Sequence, residues 1–195
     1  MAFHDDLLDL ARELADLHGK TSNQACLRRA VSTAYYALFH LLISEATANW
    51  ARPELRPVLG RYFDHGAMKT ASEARNSEIN AAFKKNPPAG AEEEAAIDLW
   101  IVANTFIQAQ RRRNHADYNL AKEWIREEVD SHIAQVDEAF RAWHRIRDEA
   151  AAQSYLISLL GSKERRWTEP KQQGPRPGRK RKQPDVGTPP DAQGG

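Results

Sequence analysis

Six residues, Ile125, Val129, His132, Val136, Phe140 and Trp143, recur at steps of four, three, four, four and three. That rhythm is the 3.6-residue period of a helix that buries one stripe, and a strand, which alternates sides, cannot produce it. Period-two alternation is absent from the rest of the chain, and Ala, Leu, Glu and Arg dominate wherever a pattern repeats. The expected fold is therefore all-α, an up-and-down bundle of four to five main helices.

The breakers divide the chain. A first helix is expected over 3–18, with Leu7, Leu10, Leu14 and Leu17 on its stripe and Gly19 as its stop. Thr21 or Ser22 would cap a second helix that runs to about Trp50 before Pro53. That helix is apolar on two faces (Leu27, Val31, Ala34, Leu38 and Leu41; Tyr35, Phe39, Leu42 and Ala46), which predicts a place in the middle of the bundle. Residues 52–90 hold Pro53, Pro57, Gly60, Gly66, Pro87 and Pro88 and read as an irregular insert, a mobile flap with one or two short helices over 67–84. A third helix is expected from Ala91 to about Asp117, with Glu92, Glu93 and Glu94 opposing the dipole at its start, and a fourth over about 120–158. Residues 1–160 thus form the bundle, and 161–195 form a tail rich in Pro, Gly, Gln, Lys and Arg that should be disordered.

The net charge of +1 conceals an uneven distribution. Residues 163–195 carry nine Lys/Arg against four Asp/Glu, a surplus of five that leaves residues 1–162 at −4. The tail cluster Arg179, Lys180, Arg181 and Lys182 suits sequence-independent attraction to phosphate backbones, or simply a solubilising tail. No run approaches eighteen apolar residues, so no membrane span is expected. The opening residues lack the basic start and apolar run of a secretory signal, and Cys26 alone excludes an intramolecular disulfide. Together these features predict a cytoplasmic protein. No His/Cys pair has zinc-ligand spacing and no glycine-rich phosphate loop is present, so neither a metal nor a cofactor is expected.

Polar chemistry concentrates in two segments. Around 111–118, Arg111, His115 and Tyr118 share one helical face at i, i+4 and i+7, while Arg113 and Asp117 share another at i, i+4. A guanidinium beside an imidazole suits phosphodiester chemistry, the imidazole moving the 2′-hydroxyl proton and the guanidinium stabilising the charged transition state. The simpler reading is that Arg113 and Asp117 make a surface pair with a tyrosine at the helix end. Arg28, Arg29 and Tyr36 lie on the second helix, where the arginines would snorkel and the tyrosine ring would pack with its hydroxyl reaching a partner. His40 and Cys26 read as packing residues.

The string Ala34-Tyr35-Tyr36-Ala37-Leu38-Phe39-His40 and the later Arg113-Asn114-His115-Ala116-Asp117-Tyr118 resemble the two signature helices of the HEPN family, small helical bundles tied to RNA cleavage and nucleotide chemistry. The resemblance spans about residues 5–150. It implies a homodimer with a shared central cleft, which Arg28, Arg29 and Tyr36 of the second helix would help to line. It also implies a nucleic-acid- or nucleotide-associated accessory protein of a stress, defence or toxin–antitoxin module, with RNA or a nucleotide as ligand and a nucleotidyltransferase as a module partner. It also names an alternative, a metal-independent endoribonuclease using Arg111 or Arg113 with His115. Ribonucleases of the family place four to six residues between the paired Arg and His, whereas Arg111 and His115 have three between them. The longer spacing recurs at Arg12 to His18 and Arg126 to His132, both outside the resembling helix. A third reading is a non-catalytic scaffold for protein interaction.

Overall fold

The computed structural model describes residues 2–17 and 23–160, and it is helical with no strand among them. Five helices have fourteen residues or more: α1 (Phe3–Asp16), α2 (Gln24–Ala48), α4 (His65–Lys85), α5 (Ala91–Tyr118) and α6 (Arg126–Ile146). The shorter α3 (Arg56–Gly60) and α7 (Ala150–Leu160) complete the set. The all-α expectation holds. Gly19, Thr21, Ser22 and the tail cluster lie outside the described residues.

Helix α2 is the hub, packed against α1, α5 and α6. Leu27, Ala30, Val31, Ala34, Tyr35, Leu38, Leu41 and Leu42 are buried around its circumference, as a helix apolar on two faces requires. Its start is capped by Asn23, whose side chain accepts from Ala25 N at 2.9 Å. Trp143 of α6, Tyr35 of α2 and Tyr155 of α7 are the bulkiest wholly buried side chains of this core, followed by Phe106 of α5.

Four local expectations are corrected. In α1 the buried face is His4, Leu8, Ala11 and Ala15, while Leu10 and Leu17 are exposed; the small Ala11 and Ala15 allow close approach to α2, which the leucine count concealed. Within the insert, the stretch expected to hold one or two short helices over 67–84 is a single 21-residue helix, α4, preceded by the short α3. Asp64 caps α4 by accepting from Gly66 N and Ala67 N, both at 3.0 Å, and Met68 and Ser72 are buried where α4 meets α5 and α7. The fourth helix starts late because residues 119–125 are held as a loop: Gln24 pairs with both backbone groups of Trp124, at 2.7 and 3.0 Å. It also breaks after Ile146, where the Gln153 side-chain amide takes the Arg147 carbonyl at 2.6 Å. The break lets α7 pack on α4, where Tyr155 and Ser72 hydroxyls meet at 2.8 Å.

Candidate functional site

The C-terminal half of α5 distributes its polar residues over different faces, because successive side chains on a helix are about 100° apart. Arg113 turns towards α2. Its Nε lies 2.7 Å from Asp117 Oδ2, an ion-pair contact without hydrogen-bond alignment, and its Nη2 donates to the Tyr36 hydroxyl at 3.1 Å. The guanidinium sits between the Tyr36 and Tyr118 rings, 5.7 and 5.6 Å from their centroids. Ser32 donates to the other Asp117 oxygen at 2.6 Å. Burial opposes the Arg113 charge, but Asp117, Tyr36 and Tyr118 outweigh it and hold its pKa above the ordinary value.

Arg111, Arg112 and His115 take another side of α5. They line one groove of about 640 Å³ with Lys122, Trp124, Glu127 and Glu128, between α5 and the start of α6. Arg111 is exposed and only loosely paired, 3.4 Å from Glu73. Lys122 reaches Glu128 at 2.7 Å and covers the Trp124 ring at 5.1 Å. Arg112 is anchored from below, donating to Gln135 at 2.7 Å and to Nδ1 of buried His132 at 3.0 Å. His115 also borders a neighbouring hollow with Tyr118 and Leu120, both widely exposed.

Two predicted residues stand apart. Arg28 lies beneath the end of α5, its guanidinium donating to the carbonyls of Ala116, Asn119, Leu120 and Lys122 at 2.6–3.3 Å. That position closes the helix end and shapes the loop that carries Lys122 and Trp124. Arg29 is exposed and has no partner among the described residues.

The structure therefore gathers Tyr36, Arg113, Asp117 and Tyr118 into one cluster, and Arg111 with His115 into another. Of the longer-spaced pairs, Arg126 is paired with Asp16 and Asp130, while His132 is buried beside Val129 and Ile133 and does not itself line the groove. Sequence reasoning missed His65, whose Nδ1 shares a 2.6 Å hydrogen bond with the Tyr35 hydroxyl and whose ring stacks on Phe39 at 4.2 Å. Nothing in the sequence marks it, since it opens a helix in a segment read as a flap. Arg112 was legible only as the middle of an Arg triplet, and Lys122 and Trp124 carry no local signal. Among the described residues no group of three or more His, Cys, Asp or Glu side chains could hold a metal ion. No protein-family model matches the chain, and no curated protein or solved structure matches it.

Proposed function

We propose that this chain is a nucleic-acid- or nucleotide-associated binding protein whose ligand phosphate is taken in the α5–α6 groove. One observation carries the reading: Arg111, Arg112, His115 and Lys122 line a single groove, whereas Arg113 is turned away from it and engaged by Asp117 and Tyr36. Three permanent cations face two carboxylates there, Glu127 and Glu128, and one of those is already occupied by Lys122. The groove's volume lies in the range of small-molecule and cofactor sites, and Arg forks suit phosphate oxygens. Placement in a stress, defence or toxin–antitoxin module beside a nucleotidyltransferase rests on the HEPN resemblance alone. Homodimerisation has a further support, the exposed Tyr118, Leu120 and Ile125 beside the site.

The endoribonuclease reading is favoured by one fact, that Arg111 and His115 share the groove. Incubating single-stranded RNA with the protein in EDTA separates the two. Binding without cleavage is the expected outcome; metal-independent cleavage that His115→Ala abolishes would replace it with the nuclease.

A further inference from the structure

Arg113, Tyr36 and His65 form a second polar centre, and none of the three lines the α5–α6 groove. A guanidinium has five N–H donors. In Arg113, Nε faces Asp117, one Nη2 hydrogen goes to the Tyr36 hydroxyl, and one Nη1 hydrogen goes to Asn114 Oδ1 at 3.2 Å. Two N–H groups remain, one on each terminal nitrogen. The Tyr36 oxygen accepts from Arg113, so its own proton is still available. His65 uses Nδ1 on Tyr35, and its Nε2 has no partner among the described residues. Tyr36, His65 and Arg113 are each half-buried rather than sealed in the interior.

Both groups lie beside the Tyr36 ring, the Arg113 guanidinium 5.7 Å and the His65 ring 6.0 Å from its centroid. Three helices hold them in place. Phe39 stacks under His65, Gln110 donates to the His65 carbonyl at 2.7 Å, and Ser32 fixes Asp117. The nearby carboxylates are already engaged, Asp117 by Arg113 and Ser32, Asp64 by the first N–H groups of α4. What the centre still offers is unused N–H and O–H donors around a guanidinium whose charge Asp117 balances. A ligand suited to it is small, anionic and has several acceptor oxygens.

We propose that Arg113, Tyr36 and His65 bind a compact oxyanion, either free phosphate or the terminal phosphomonoester of a larger ligand. The charged and titratable groups facing His65 are Arg113 from α5, Asp64 at its own helix start, and His40 with the phenols of Tyr35 and Tyr36 from α2. Burial first, and then the Arg113 charge, hold His65 below the ordinary imidazole value. A bound dianion offsets the Arg113 charge, so occupancy should raise the His65 pKa.

The test is NMR of the full-length protein, following the His65 ring signal (identified by its loss in His65→Gln) during titration with inorganic phosphate against chloride at equal ionic strength. A saturable shift specific to phosphate is expected, with a higher His65 pKa in its presence. Tyr36→Phe keeps the ring and should weaken phosphate binding about fivefold, and Arg113→Lys should weaken it tenfold or more by removing the fork. A 5′-phosphorylated dinucleotide that competes where its unphosphorylated form does not would identify the terminal phosphomonoester as the source; competition by neither leaves free phosphate as the ligand. A response equal to that of chloride, no response at tens of millimolar, or full affinity in both variants would overturn the proposal. Because Arg111→Ala and His115→Ala should leave this titration unchanged, its failure and that of the groove are read separately.

Discussion

Arg112 donates from Nη1 to Nδ1 of His132 at 3.0 Å, a cation held against a neutral imidazole that is 1% exposed. Burial and then the Arg112 charge push the His132 pKa down to about 3, with a Val31 backbone contact working in the opposite direction. In the unfolded chain an imidazole titrates near about 6.5. Between those values the unfolded state binds a proton that the folded state refuses, so stability falls as pH drops from about 6.5 towards 3. His4, His40 and His65 are also held low, burial being the largest cause in each, and add in the same direction. His132→Gln keeps an acceptor for Arg112 without the titration. Urea denaturation across this range should show a flatter pH profile for the variant; an equal slope would place the acid sensitivity elsewhere.

Asp98 and Arg145 tie α5 to α6 through two hydrogen bonds of 2.8 and 2.7 Å, with the carboxylate side chain 12% and the guanidinium side chain 51% exposed. The unequal burial predicts unequal costs. Arg145→Ala strands a nearly buried carboxylate and should cost about 2–3 kcal/mol, whereas Asp98→Asn leaves a solvated guanidinium and should cost about 1 kcal/mol. Denaturant midpoints of the two variants check this order, and equal losses would contradict it.

Arg28 spans four carbonyls around the end of α5, a geometry that one ammonium group cannot reproduce. Arg28→Ala and Arg28→Lys should each destabilise the protein by about 2–3 kcal/mol and loosen residues 119–125, as seen by hydrogen exchange. Full rescue by Lys would show that charge alone matters there.

Arg113→Ala and Asp117→Ala should each cost about 1 kcal/mol, and together less than their sum, as partners in one pair do. Strict additivity in thermal melts would mean that the 2.7 Å contact contributes nothing.

The fold class was legible because a helical period is a local property, repeated through α2, α5 and α6. Element ends were less so. The loop at 119–125 depends on Gln24 and Arg28, about a hundred residues away in the chain, and no local signal at Lys122 or Trp124 reports those contacts. In α1 the large leucines mask Ala11 and Ala15, whose small side chains are buried against the core. Pairing of Arg113 with Asp117 follows from i, i+4 spacing, and so does the shared face of Arg111 and His115. His65 could not be found that way, since its contacts to Tyr35, Tyr36 and Phe39 come from α2.

The central claim, that the α5–α6 groove holds phosphate, is tested most directly by the salt dependence of binding to a fluorescent single-stranded RNA. Each phosphate contact contributes about −0.7 to the slope of log K against log salt for a single strand. Wild type should show a steep slope, and Arg111→Ala and Lys122→Ala should each weaken binding and make the slope shallower by about one contact. Arg29→Ala, outside the groove, should change neither. Groove variants that bind with wild-type affinity and slope would contradict the account.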